Sequence, residues 1–219
     1  MNRSIIFTMY LFSQLRSLSI LQIFAKHKKV IIFTLYGQYI YLFGLTIYAA
    51  YLTYHQIDRA VVYEWGKASG DIALIYFCLS ILPGIARRFG IRTQITQILM
   101  LFRRQIGISV FLFGFFHYSA IRLFPILFAG VPLNLHPPLF EVFGFLSLYP
   151  MTLLFLTSND VSVRTMKTWW RRVHSLVYIL TWTIFLHVVL QSGGVMAWVI
   201  GAFAFLEAGS LVYPRLRKK

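Results

Sequence analysis

Acidic side chains are scarce: the 219 residues include six Asp and Glu against 21 Lys and Arg. Charged residues of both signs make up 12% of the chain and hydrophobic ones 58%, a balance that excludes an ordinary soluble domain. Asp58, Glu64 and Asp160 fall in expected loops, Asp71 and Glu141 near the ends of apolar runs, and only Glu207 well inside one. A proton-relay transporter usually draws on intramembrane Asp or Glu, so this scarcity weakens that class. Cysteine is nearly missing too. Cys78 alone, inside an apolar run, rules out a disulfide within the chain and a Cys-rich metal site, and it reads as a small core residue. The apolar runs lack strict alternation, which excludes a transmembrane barrel. No internal repeat or low-complexity tract breaks the chain, and the linkers are short.

What the sequence does have is long charge-free windows of about 20 residues, the length that crosses a hydrocarbon core of ~30 Å. The expected fold class is all-α, a polytopic membrane helical bundle. Six transmembrane helices are expected at 30–54, 70–85, 105–127, 138–157, 173–191 and 195–213. They form one domain over 30–213, preceded by a basic, partly apolar segment over 1–29 and followed by a basic tail over 214–219. In that first segment, "SIIFTMYLF" and "SLSILQIF" are interrupted by Gln14 and Arg16, and the basic "KHKK" follows in place of a small-residue cleavage site. That pattern disfavours a cleaved signal peptide and fits an interfacial amphipathic helix or an extra, poor span.

The net charge of +15 does not mark a nucleic-acid binder, because the basic residues lie between apolar runs rather than in one patch. With six spans, 18 of the 21 Lys and Arg fall on one side of the membrane, and only Arg59, Lys67 and Arg122 fall on the other. The asymmetry predicts that both termini are cytoplasmic.

Six histidines are present. His27, His55 and His136 lie near expected interfaces and read as solvated or headgroup-level side chains. His117, His174 and His187 lie inside spans, where an ionisable side chain is costly and points to function. His117 is 14 residues past Arg103, and His187 is 13 past His174. At 1.5 Å per residue each rise is roughly 20 Å. The third and fifth spans run in the same direction, so His117 and His187 share a depth in the outer half. Two neutral imidazoles facing each other across a bundle are what bis-histidine haem ligation requires. Proton relay in a transporter is the rival reading. His174 lies near the cytoplasmic face, at the depth of Arg103, whose guanidinium suits a haem propionate or an oxygen of a flavin or quinone. On an ideal helix His174 and His187 point about 140° apart, so either the helix is irregular or the two address different grooves. Gly107 and Gly114 share one face of the third span and leave room for a flat ring or for ordinary helix packing. Arg122 is a candidate for a propionate of the outer haem, or else an interfacial snorkelling arginine.

Taken in order, "ILPGIARR", "FRRQIGISVFLFGFFH", "LTSND" and "WWRRVHSLVYILTWTIFLH" make the chain resemble the ferric reductase-like transmembrane domain superfamily over roughly 66–213. Within that superfamily it resembles the YedZ/MsrQ family, the haem-binding membrane subunit of the periplasmic protein-methionine-sulfoxide reductase system. The resemblance implies one or two b-type haems held by His117, His174 and His187. It implies electron flow across a bacterial inner membrane, from quinol or a cytoplasmic flavin reductase to a separate molybdenum-containing periplasmic methionine-sulfoxide reductase, with FMN or quinone as a further cofactor. It makes the chain an electron-transfer subunit rather than the catalytic subunit. Arg103 stands where the related oxidases carry a fourth histidine, which counts against a second bis-histidine haem. The chain stops after the sixth span without an FAD and NAD(P)H domain, so an external donor is expected. Other functions compatible with the residues are a transmembrane ferric or cupric reductase-like protein and a haem-free proton-coupled transporter.

Overall fold

In hydrocarbon a backbone N–H or C=O has no water to bond, so a spanning segment must close its hydrogen bonds within itself. The apolar runs of this chain do so as helices. A computed structural model describes residues 20–216, and among these every regular element is helical. A short helix α1, Ile20–Lys26, precedes α2, Lys28–Tyr54, and α3, Arg59–Arg88. Helix α4, Gln94–Tyr118, runs on through a π-helical turn, Ser119–Leu123, into α5, Phe124–Phe128. Helix α6, Leu139–Leu156, is followed by the short α7, Asp160–Met166, and α8, Thr168–His174. Helices α9, Val177–Gln191, and α10, Val195–Leu216, complete the bundle. Among the described residues six segments are long and apolar enough to cross a membrane, and the chain is a multi-pass membrane protein. Most of the expected N-terminal segment, and the last three residues of the basic tail, lie outside the described residues.

The helices overrun the apolar windows, because charge ends hydrophobicity without ending a helix. Helix α3 begins at Arg59 rather than near residue 70, and its first turns carry Glu64 and Lys67 as an i,i+3 ion pair at 3.3 Å. Helix α4 begins at Gln94 rather than near residue 105. Thr93 caps it, accepting from the Thr96 backbone N–H, while the Thr96 hydroxyl accepts from Thr93 N–H. The fifth span is broken. After α8, residues 175 and 176 form a turn in which the Ser175 hydroxyl donates to Arg172 O at 2.6 Å.

Helix α3 is the most buried of the six spans and α2 the least. The largest packed pair is α3 with α4; α6 packs on α9, and α10 covers α3 and α9. The main core gathers Leu74, Phe77, Cys78 and Ile81 of α3 against Val110 of α4, Met151 of α6, Leu180 of α9 and Ile200 of α10. Cys78 is a buried free thiol in that core. The bundle has an arginine-rich end, where α3 finishes and α4 begins, and an opposite end that holds Arg59, Arg122 and Glu141.

Candidate functional site

His117 closes α4 just before the π-helical turn, and His187 lies in the last turns of α9. Their ring centres are 6.2 Å apart and their planes are 75° to one another. His117 Nδ1 is 2.8 Å from Gly66 O on α3, and His187 Nδ1 is 2.7 Å from Phe140 O on α6. A carbonyl oxygen only accepts, so each Nδ1 carries a proton, and in a neutral ring Nε2 is then the nitrogen with the lone pair. Among the described residues neither Nε2 has a hydrogen-bond partner. Four helices therefore converge on one pair of imidazoles.

That donor set suits a haem iron. An iron between two imidazole nitrogens at about 2 Å each sets the ring centres roughly 6 Å apart. Among the described residues no three His, Cys, Asp or Glu side chains cluster to hold a bare metal ion. A macrocycle supplies the equatorial ligands that two histidines alone lack. Tying the distal ring nitrogen to a carbonyl is the usual way a metal-ligating histidine has its tautomer and orientation fixed.

Arg122, in the π-helical turn, is ion-paired with Glu141 on α6. It is half-buried and already engaged, so an anionic group of a bound ligand would have to compete with Glu141. Gly114 is not open to a ring, since a Cβ there would stand 2.7 Å from Met151 Cε. Gly107 is open: nothing lies within 4 Å of a Cβ built on it.

His174 belongs to a different place. It lines a cavity of about 560 Å³ at the arginine-rich end, together with Arg103, Gly107, Trp170, Tyr178 and Glu207. The volume falls within the ~300–1,000 Å³ of small-molecule sites. His174 is stacked on Trp170, ring centres 4.0 Å apart, and its Nε2 lies 3.2 Å from Thr157 Oγ1. The Thr157 hydroxyl donates to Leu153 O at 2.7 Å, so it accepts from His174, which leaves His174 Nδ1 as the acceptor. This is the opposite tautomer to that of the outer pair. Trp170 Nε1 donates to Thr157 O at 2.9 Å and fixes the stack. Arg103 has no ion-pair or hydrogen-bond partner among the described residues, and it lines the cavity.

Two charged groups at this end are less evident from sequence. Arg88 donates to Ser210 Oγ at 2.7 Å and to Tyr178 OH at 3.2 Å, and its Nη2 lies 3.9 Å from Glu207 Oε1. Among the described residues Glu207 Oε2 is buried without a hydrogen-bond partner. The lone acidic residue inside an apolar run was the available signal for Glu207; nothing local marked Arg88 as its partner. Arg104 reaches outward to Asp160 at 2.7 Å. That hydrogen bond and the charge behind it hold the Asp160 carboxyl below its ordinary range.

Against known families, residues 69–186 match the model of the ferric reductase like transmembrane component. The matched stretch is more than half of the chain. The chain belongs to the ferric reductase-like transmembrane family. No solved structure matches it. The ferric reductase-like segment contains His117, His174, Arg103 and Gly144, and it ends one residue before His187. Helix α2 and the whole of α10 lie outside it. Membership supports a membrane electron-transfer or reductase-like role.

Proposed function

We propose that this ferric reductase-like protein is the b-type haem subunit of a transmembrane electron-transfer system. The observation that carries the reading is the His117–His187 pair, with each Nδ1 donating to a carbonyl and ring centres 6.2 Å apart. These two residues would hold the haem, which when bound supplies reversible one-electron chemistry at a six-coordinate iron. The chain's own part is to fix both tautomers, exclude water from the pair with the surrounding apolar helices, and bring the arginine-rich end within one span of it. The cavity lined by Arg103 and His174 would receive the donor side. Arg103 offers a forked cation to an oxygen of FMN or a quinone, and His174 offers an acceptor nitrogen beside it. The 18-to-3 bias in basic residues supports a cytoplasmic arginine-rich end and cytoplasmic termini in a bacterial inner membrane. Electrons would come from the quinone pool or a cytoplasmic flavin reductase. The acceptor would be a periplasmic molybdenum-containing methionine-sulfoxide reductase, as the four ordered motifs of the YedZ/MsrQ family suggest.

A second reading keeps the haem and changes the acceptor to ferric or cupric ions, and the ferric reductase family match favours it. Reduced-minus-oxidised absorption spectra of protein expressed with ample haem test what the two readings share. A haem b spectrum is expected in the wild type, and its absence would sink both. Reoxidation of the reduced protein by added molybdoenzyme with methionine sulfoxide, against ferric or cupric chelates, then separates the acceptors.

A further inference from the structure

The two imidazoles reach their carbonyls by one device used twice. His117 Nδ1 bonds Gly66 O, and the residue four positions on is Gly70; His187 Nδ1 bonds Phe140 O, and the residue four positions on is Gly144. In an α-helix the carbonyl of residue i points at the N–H of residue i+4, and the Cβ of residue i+4 tilts back toward residue i. A side chain at i+4 therefore shields that carbonyl from anything arriving sideways. Elsewhere in this chain the slot is filled from within: the hydroxyls of Thr53, Thr152 and Thr181 each donate to the carbonyl four residues before. At Gly70 and Gly144 the slot is empty of side chain, and a histidine from another helix occupies it.

The fit is close in both places. A Cβ on Gly70 would lie 2.7 Å from His117 Nδ1 and 3.0 Å from its Cε1. A Cβ on Gly144 would lie 2.8 Å from His187 Nδ1 and 2.9 Å from its Cε1. These glycines admit an imidazole, not a helix backbone. Gly66 is different in kind, because a Cβ there would meet Ile121 Cδ1 at 2.8 Å and Ala120 Cβ at 2.9 Å. It serves the packing of α3 on the π-helical turn. Gly66 O also accepts the Ser69 hydroxyl at 2.7 Å, so the His117 side of the device is the more crowded.

We propose that Gly70 and Gly144 are positioning residues: by lacking a Cβ they uncover the carbonyls of Gly66 and Phe140, and so fix His117 and His187 as Nδ1–H tautomers with Nε2 free for a metal. This rests on the haem reading of the pair. Filling either slot removes the hydrogen bond from one imidazole and pushes its ring off line, without touching the ligand nitrogen itself. Loss of such an outer partner typically weakens metal binding about 10–100-fold.

The test uses the purified full chain and four variants: Gly70→Ala, Gly144→Ala, Gly66→Ala, and Gly37→Ala, where nothing lies within 4 Å of the added Cβ. Each is titrated with haem, and the midpoint potential of the bound haem is measured. The expected result is a 10–100-fold weaker haem affinity and a displaced potential in Gly70→Ala and Gly144→Ala, at unchanged helix content. Gly37→Ala should match the wild type, and Gly66→Ala should lose thermal stability with haem or without. Wild-type affinity and potential in both Gly70→Ala and Gly144→Ala would overturn the proposal while leaving the haem reading intact. A wild-type protein that takes up no haem would overturn the haem reading itself. A measurement on the wild type alone guards against a variant that fails to fold. In ¹⁵N-histidine-labelled, dithionite-reduced protein, two imidazoles should show exchange-protected Nδ1–H protons, and their absence would also overturn the proposal.

Discussion

The rings of His117 and His187 stand 6.2 Å apart and nearly perpendicular, each anchored to a helix that belongs to neither of them. Helices α4 and α9 supply the rings, and α3 and α6 supply the carbonyls. The pair therefore reports on the relative placement of four helices.

Since an iron between two imidazoles needs both, the two histidines should behave as one unit. His117→Ala and His187→Ala should each remove most of the haem bound at this site, and the double variant should remove no more than either single one. Haem-to-protein ratios from pyridine haemochrome assays check this, and additive partial losses would contradict it.

His174 should be separable from that pair. It lies at the far end of the fifth span, stacked on Trp170 and bonded to Thr157. His174→Ala should leave the haem signal of the outer pair in place while changing reduction by the donor. Stopped-flow reduction with a quinol analogue or with reduced FMN, read at the haem band, provides the check. Loss of the outer signal in this variant would merge the two sites and refute the separation.

The Arg88–Glu207 pair is largely buried, with side-chain exposures of 19% and 4%. Removing one partner of such a pair leaves the other charge uncompensated, at a cost of about 3–5 kcal/mol. Arg88→Met should destabilise the protein accordingly, and Arg88→Met with Glu207→Leu should recover much of the loss. Thermal unfolding in detergent measures both, and a double variant no better than the single one would show that the pair is not coupled.

Gly114 lies against the Met151 methyl, with 2.7 Å available to a Cβ. Gly114→Ala should overpack that contact by about 1–3 kcal/mol, unless the flexible methionine turns away. Met151→Ala in the same background should relieve the strain, and the thermal midpoints of the wild type and these two variants decide the matter.

Several features were legible in sequence and several were not, for physical reasons. Hydrophobicity marks the hydrocarbon-facing part of a helix, so all six spans could be read, whereas the turns of α3 before Gly70 and of α4 before Gln105 are helical but interrupted by charged residues. The common depth of His117 and His187 followed from counting residues against the charge-determined direction of each span. Their hydrogen bonds did not, because the partners are backbone carbonyls, and any residue has one of those. The glycines four positions on were the only trace of it. The break after His174 leaves no local signature, whereas the π-helical turn after His117 is followed closely by Pro125, which has no backbone N–H to give to the carbonyl four residues before. Arg122 looked free in sequence because its partner Glu141 arrives from another helix.

Asp160 offers a pH test outside the membrane spans. Its carboxyl is held below the ordinary range by Arg104, so the stability it lends is present above the unfolded pKa of about 3.9 and is lost as pH falls through the lower folded value. The difference in thermal midpoint between wild type and Asp160→Asn should be flat from neutral pH down to about 5 and shrink below about 4. It should also diminish with salt, since the pair is exposed. A difference that instead changes near neutral pH would assign it to another group.

The most direct measurement is low-temperature electron paramagnetic resonance of the oxidised, purified protein. The account predicts a low-spin ferric signal from two imidazole ligands, lost in His117→Ala and in His187→Ala and retained in His174→Ala. A signal that survives either outer substitution, or a wild type that is wholly high-spin, would contradict it.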